Sequence, residues 1–259
     1  MQIPQLRQDA FEHCPLPVQV LRETDSTNNA LKRLAGAPHG TVLVTGRQTA
    51  GRGRQGRTFV SPEGGVYLSV LLRPEAKAAE LLHLTPMAAV AVRRAIFDTC
   101  GVAAEIKWPN DLVFEGRKLV GILTELVQTD GAPCVIVGAG VNCNTDPEDL
   151  PSEVRPIAIS LRQITGNAVD PNALARNMVD RFAEMAAALL TDKEPWLAEY
   201  AAACLTVGKQ VQIVSGTERQ AAFAEGIDEN GALLVRFTNG ETAAVSTGEV
   251  SVRGMYGYI

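Results

Sequence analysis

The stretch 51-GRGRQGR-57 decides which fold the chain can have. Gly51, Gly53 and Gly56 fit the G-x-G-x-x-G pattern of a dinucleotide-binding turn, yet arginines stand between the glycines and a third follows them. Three readings compete: a fold-determining turn, a nucleic-acid patch, and a mobile clamp for a small anion. A Rossmann turn must follow a strand and open a helix, because the pyrophosphate sits on the helix N-terminus. Here the continuation is 58-TFVSPEGGVYLSV-70, in which Pro62, Gly64 and Gly65 lead into another strand. No helix opens, and no Lys-Ser/Thr follows the last glycine as a P-loop requires. The glycines permit close backbone approach and mobility, while Arg52, Arg54 and Arg57 offer forks that can hydrogen-bond a carboxylate, a phosphate or a polar carbonyl. The segment reads as a loop that orders when an anion supplies its partners.

Charge supports a local anion site. From Ser26 to Pro62 there are six cations and no carboxylate, although the 259-residue chain carries a net charge of -5. A cationic segment on an acidic body suits a defined anionic ligand better than a long nucleic acid, whose phosphates the remaining surface repels. The five cysteines, Cys14, Cys100, Cys134, Cys143 and Cys204, are scattered without C-x-x-C spacing, which indicates neither a disulfide framework nor a zinc site. No residues of the protein alone suggest a metal centre. With no signal-like N-terminus and no apolar run of membrane length, the expected location is the cytoplasm.

Outward from the glycines, strand and helix patterns alternate. TDSTNNALKRLA predicts a helix capped by Asp25 or Ser26, TVLVT (41–45) and VYLSVLL (66–72) predict strands, and residues 79–100 predict a long helix that Pro86 kinks or splits. A hairpin at VFEGRK leads into the strand LVGILTELVQ (119–128), and Asp130-Gly131 turns it back into PCVIVGAGVN, antiparallel to it. The polar, proline-rich residues 142–158 suggest a surface loop, and helices are expected at 172–190 and 194–203. After Cys204 come five short strands separated by turns at Gly216, Asn230-Gly231, Asn239-Gly240 and Gly248. This predicts an α/β or α+β domain, with α+β the class adopted: a mixed, largely antiparallel sheet with helices over residues 1–204, and over residues 205–259 a small barrel that leans on it.

Two further motifs carry chemistry. In 107-KWPNDLVFEGRKLVGIL-123, Lys107 and Asp111 flank a Trp-Pro turn and Lys118 begins an apolar strand. A strand lysine directed into a pocket can neutralise a carboxylate and an α-phosphate together, as an acyl-adenylating site requires. Asn110 and Asp111 are then candidates for ribose, an amine or Mg²⁺. In 138-GAGVN-142 the small residues let a planar ring lie against the backbone, and Asn142 is a candidate contact for a nucleotide.

These motifs in this order, with STNNAL, GRQTAGRGRQGR, FVSPEGGVYLSVLLRP and TGEVSVR, resemble the bacterial biotin protein ligases. The resemblance runs from about Val20 to Arg253. It implies a catalytic domain like the class II aminoacyl-tRNA synthetases and an SH3-like C-terminal barrel. It implies an enzyme, a biotin-[acetyl-CoA-carboxylase] ligase, that makes biotinyl-5'-adenylate from biotin and ATP with Mg²⁺ and transfers biotin to a lysine of a biotin carboxyl carrier protein. Ser26, Thr27, Asn28, Gln48, Arg52 and Gly53 fall on positions that hold biotin, and Arg54 lies in the loop that closes over the adenylate. Lys118 falls where carboxylate and α-phosphate meet; Lys107, Asn110, Asp111 and Asn142 fall on the nucleotide side. Catalysis is expected of Arg52, Arg54, Asp111 and Lys118, with Asp111 placed to help the acceptor lysine lose its proton. Phe59 stands where the family often has Trp. With about 20 residues before the match, a form without the DNA-binding winged helix is implied, hence no DNA and no membrane partner. Sheet-edge association in some members makes a homodimer an expectation. A lipoate or octanoate ligase of the same fold and a non-catalytic biotin-sensing or RNA-binding module are the alternatives.

Overall fold

The computed structural model describes residues 4–34, 36–129, 132–215, 217–246 and 250–254, with backbone alone at 128–129, 132–133 and 250–254. Its first unit runs β1 (Val18–Leu21), α1 (Thr27–Arg33), β2 (Val42–Thr45), β3 (Val66–Leu72), α2 (Leu84–Cys100), β4 (Glu105–Lys107), β5 (Asp111–Phe114), β6 (Arg117–Thr129), β7 (Ala132–Val141), α3 (Leu161–Thr165), α4 (Pro171–Ala188) and α5 (Glu194–Ala203). Seven strands form one sheet in the order β1-β2-β3-β7-β6-β5-β4. Among the described strands of this sheet only β1 and β2 pair in parallel, so the sheet is mixed and largely antiparallel, as its sequence pattern predicts.

Local chemistry explains most boundaries. Pro86 falls in the first turn of α2, where a missing N–H leaves no helical bond unmade, so the expected long helix is split into a 3-10 turn at Ala78–Leu81 and α2. Gly101 ends α2 at φ 71°, where its N–H donates to Phe97 O. Glu115 and Gly116, at φ 47° and 75°, make the two-residue turn between β5 and β6. The turn expected at Asp130-Gly131 lies outside the described residues, but β6 and β7 pair antiparallel along Val120–Thr129.

Three elements depart from the sequence reading. β1 is a short strand directly after Pro15 and Pro17; its outer edge is closed by Gln8, whose Nε2 donates to Val18 O at 2.9 Å while Oε1 accepts from Val20 N at 2.8 Å. α3 is a single capped turn, with Gln163 N donating to Ser160 Oγ and Gln163 Oε1 accepting from Ser160 N. Residues 142–158 are not all surface loop, since Asn142, Cys143, Asn144 and Thr145 are buried.

The second unit contains β8 (Gln210–Ser215), β9 (Glu218–Ile227), β10 (Leu233–Phe237), β11 (Thr242–Val245) and β12 (Val250–Gly254), paired antiparallel in the order β11-β10-β9-β8-β12. The turns expected at Gly216 and Gly248 lie outside the described residues. This unit does lean on the first: Trp108 Nε1 donates to Gly231 O at 3.0 Å, Trp108 N to Thr206 Oγ1 at 3.1 Å, and Gly231 packs on Pro86. Val211, Ala222, Ala224, Leu233 and Val235 join the same apolar core as α2 and α4. All five cysteines are free thiols. Among the described residues no helix is long and apolar enough to cross a membrane.

Candidate active site

Strand alternation builds a floor of small side chains. On β3, Val66, Leu68, Val70 and Leu72 enter the main core, so Tyr67, Ser69 and Leu71 face the other way. On β7 the same rule turns Cys134, Ile136, Gly138 and Gly140 to that second face. Ala30 and Leu31 of α1 cover Leu71, Cys134 and Ile136. Farther along the strands the face is left to Ser69 and Tyr67, which pair with Gly138 and Gly140, and these in turn with Leu123 and Gly121 of β6. With no Cβ in the way, other side chains descend onto the glycines. The Asn28 amide lies directly on Gly138, and the Phe59 ring lies on Gly140 and Gly121, where an added Cβ would stand 2.7 and 2.8 Å from ring carbons. Phe59 thereby stands between two pockets and meets Tyr67 edge-on, with ring centroids 6.4 Å apart.

The smaller pocket, of about 30 Å³, is lined by Ser26, Thr27, Asn28, Gln48 and Arg52, five of the residues expected at biotin, together with Phe59, Tyr67, Leu123 and the glycine floor, whereas the expected Gly53, Arg54 and Lys118 line its charged neighbour. Its polar groups are mostly neutral and already paired. Gln48 Oε1 accepts from Thr27 N at 2.8 Å and from Thr27 Oγ1 at 3.3 Å, while its Nε2 donates to Ser61 Oγ at 3.0 Å. Ser69 Oγ donates to Asn28 Oδ1 at 2.6 Å and meets Thr27 Oγ1 at 2.6 Å. Asn28 Nδ2 donates to Glu125 Oε2 at 3.0 Å and to Leu123 O at 3.3 Å. Ser26 is the N-cap of α1 by position without a side-chain cap bond, and Asp25 instead grips Arg33 at 2.7 Å. That pair is the first of several contacts that hold the Asp25 carboxyl well below the usual carboxylate range.

The second pocket, of about 120 Å³, is charged, and Arg52, Gly53, Arg54, Asn110, Asp111, Lys118, Phe59 and Gly121 are among its lining residues. Lys118 Nζ meets Asp111 Oδ1 at 2.7 Å and stands 5.5 Å above the Phe59 ring. Arg54 donates to Asn110 Oδ1 at 3.3 Å; burial lowers its pKa, opposed by the nearby Asp111 carboxylate. Asn110 Nδ2 donates in turn to Ile122 O at 2.7 Å. The turn that carries Asn110 and Asp111 is anchored from beneath, since Tyr200 Oη donates to Pro109 O at 2.9 Å from a fully buried position.

The glycine-arginine stretch closes over both pockets as a small hairpin. Gly53 N donates to Arg57 O at 2.7 Å, Phe59 N donates to Gly51 O at 3.0 Å, and the turn passes through Gln55 and Gly56 at φ 55° and 72°. It leads into β3 without opening an α-helix after its last glycine, as the argument against a dinucleotide fold requires. Arg52 lines both pockets and donates to Asn29 Oδ1 at 3.0 Å; it also pairs with Glu125 at 2.9 Å.

Two expected nucleotide contacts lie elsewhere. Asn142 is 5% exposed and lines neither pocket; its Nδ2 donates to Lys118 O at 3.3 Å and Ile159 O at 3.2 Å, beneath the strand that carries Lys118. Lys107 sits on β4 opposite Asp111 in register and also lines neither pocket. Ser69, Tyr67, Asn29 and Glu125 were not expected at the site; the period-2 alternation from Gly121 through Leu123 to Glu125 was the available signal for the last of them. A larger cleft of about 890 Å³ lies near Arg22, Arg47 and Glu63, but Arg47 is tied to Glu23 at 3.1 Å and none of the expected residues line it.

Residues 20–142 match the biotin/lipoate A/B protein ligase family, and residues 206–253 match the biotin protein ligase C terminal domain. The chain is 37% identical to the biotin--[acetyl-CoA-carboxylase] ligase of Paracoccus denitrificans, over 84% of this chain and 93% of that protein. It is 37% identical to the bifunctional ligase/repressor BirA of Bacillus subtilis (strain 168), over 85% of this chain and 69% of that protein. The biotin protein ligase from Aquifex aeolicus in complex with biotin and ATP superposes with a TM-score of 0.82 at 31% identity, covering 92% of this chain and 99% of the other. With both of its units matched and its residues aligned over most of such relatives, the chain belongs to the biotin protein ligase family.

Proposed function

We propose that this chain activates biotin with ATP and passes the biotinyl group to a lysine of a biotin carboxyl carrier protein. A biotin carboxylate oxygen attacks the α-phosphorus, the bond to the β-phosphate oxygen breaks, and pyrophosphate leaves. The acceptor amine then attacks the adenylate carbonyl, an amide forms, AMP leaves, and the amine's proton passes to a base. The observation that carries this reading is the junction of the two pockets: a recess of mostly neutral, prepaired groups opens beside a lysine, a half-buried arginine and a carboxylate. A carboxylate reaching from the recess past Phe59 comes to Lys118, as does an incoming phosphate.

In this reading Ser26, Thr27, Asn28 and Gln48 orient the ring system, and Arg52, Gly53 and Arg54 form the lid. Lys118 neutralises carboxylate and α-phosphate, and Asn110 and Asp111 face the nucleotide. Electrostatic neutralisation and exclusion of water supply most of the acceleration. Asp111 is placed to take the proton of the acceptor amine. Asn142 supports Lys118 through the backbone, and Lys107 acts on the nucleotide only at longer range. Mg²⁺ arrives as the partner of ATP. No group of three His, Cys, Asp or Glu that could hold a metal occurs among the described residues, and the Asp111 carboxylate suits an ion that keeps waters and phosphate ligands.

The first unit is read as class II synthetase-like and the second as an SH3-like barrel, with the boundary at residues 204 and 205. The change from α5 to five short antiparallel strands supports that division. A homodimer is supported by β6, which β5 pairs only as far as Gly121; beyond it Leu126 is 56% exposed on the strand. The acidic net charge and free thiols support a cytoplasmic enzyme without nucleic-acid partners. The test is pyrophosphate release by the purified chain with ATP and biotin, lipoate or octanoate in turn, followed by transfer to a carrier domain. Release with biotin alone is the expected result; release with lipoate or octanoate instead overturns the assignment.

A further inference from the structure

Glu125 lies on the site face of β6 and is bound by three groups from two other segments. Its carboxylate meets Lys32 Nζ at 2.8 Å and Arg52 Nη1 at 2.9 Å, and it accepts from Asn28 Nδ2 at 3.0 Å. Lys32 and Asn28 belong to α1, and Arg52 to the closing loop. Glu125 is therefore where the ring pocket, the lid and the sheet are tied together. Its side chain is only 16% exposed, so these pairs are shielded from salt more than ordinary surface pairs. Burial pushes its pKa up, but Lys32, Asn28 and Arg52 outweigh that and hold it below the ordinary value. It lines neither of the two pockets.

We propose that Glu125 is a positioning residue that latches the arginine loop through Arg52 and so sets how long the enzyme retains its adenylate, rather than how fast it forms. The inference rests on the reading of this site as a biotin-adenylating one. A loop that carries arginines over an anion is held closed by that anion and by whatever anchors the arginines to the sheet. Glu125 is such an anchor, and Asn28 connects it directly to the recess that the ring occupies. A ligand that orders Asn28 therefore also favours the Glu125 geometry that receives Arg52.

The experiment uses the full chain and its Glu125→Gln and Glu125→Asp variants. Adenylate is formed from labelled biotin and ATP, and its escape is followed after a chase with unlabelled biotin; single-turnover pyrophosphate release is measured in parallel. For Glu125→Gln the expected result is escape about tenfold faster, the consequence of losing one charge-assisted anchor, with the adenylation rate within about threefold of wild type. Glu125→Asp keeps the charge and should recover part of the retention, which a purely structural role would not produce. Escape at the wild-type rate in a folded Glu125→Gln enzyme overturns the latch. Should Glu125→Gln not fold, Glu125→Asp is read alone. One methylene shorter, it cannot hold Lys32, Asn28 and Arg52 together, so escape about threefold faster than wild type is expected. Escape at the wild-type rate with unchanged hydrogen exchange at residues 51–57 overturns the latch. Absence of biotin-dependent pyrophosphate release by the wild type overturns the functional reading itself, a distinct outcome.

Discussion

The two pockets on either side of Phe59 are built from opposite chemistry. The recess under Asn28 and Gln48 is held by neutral hydrogen bonds among Thr27, Ser69, Ser61 and the floor, with donors and acceptors matched to one another. Its neighbour is held by charge: Lys118 on Asp111 and a half-buried Arg54 beside them. A neutral network of fixed direction discriminates a ligand by shape and by the pairing of its polar groups, because a misfitting ligand leaves buried groups unmatched. A charged pair can exchange partners when a carboxylate or phosphate arrives, so it serves the reaction more than recognition. One half of the site is built to choose and the other to react.

The largest expected effect breaks the reacting half. Lys118→Ala should lower biotin-dependent pyrophosphate release by on the order of 10²–10³ or more, while biotin binding measured by calorimetry changes far less. Equal losses in both would merge the two pockets into one functional unit. Next, Gly138→Ala drives a methyl into the Asn28 amide without touching the charged pocket. Biotin affinity should fall roughly ten- to a hundredfold, the cost of misdirecting one buried polar group, with ATP binding retained. Ser69→Ala sharpens the same point by removing the hydroxyl that aligns Thr27 and Asn28; a loss of about tenfold in biotin affinity is expected, again with ATP binding unchanged.

The smallest effect concerns the carboxylates that brace α1. Asp25, against Arg33, and Glu125, against Lys32, Asn28 and Arg52, both have folded pKa values lowered below their ordinary ones. Their contribution to stability is therefore fully present above the unfolded carboxylate pKa of about 4 and is lost as pH falls below it toward the folded values. Thermal unfolding followed from pH 7 down to pH 3 should show a decline that Asp25→Asn and Glu125→Gln each make shallower. Because the Asp25–Arg33 pair is largely exposed, its variant should shift the midpoint by no more than a few degrees.

Much of this was legible before any coordinates. The residues after Gly56 excluded a dinucleotide turn because Pro62, Gly64 and Gly65 lead into another strand where a helix is required, and β3 formed over the residues 66–72 read as that strand. The motifs that carry Lys118 and the arginines were also readable, because each is contiguous, while their meeting at one site was implied by the family resemblance. β1 was not, since its four residues carry too little periodicity and the strand depends on β2 and the Gln8 side chain for its partners. Pro86 was seen, but whether it kinked or divided the helix depended on where the first turn packs.

By itself the sequence determined the fold class, the order of the motifs and the identity of the ionisable groups, because these follow from local periodicity, turn chemistry and contiguous patterns. The division of labour was decided only by tertiary structure. Phe59 became a partition because β6 and β7 bring Gly121 and Gly140 side by side, and Asn142 became a brace because the chain turns it under Lys118. Glu125 joined the site because antiparallel pairing sets β6 beneath α1 and the loop, more than 70 residues from Arg52 in sequence. Such contacts arise from which strand faces meet which helices, and no local pattern records that.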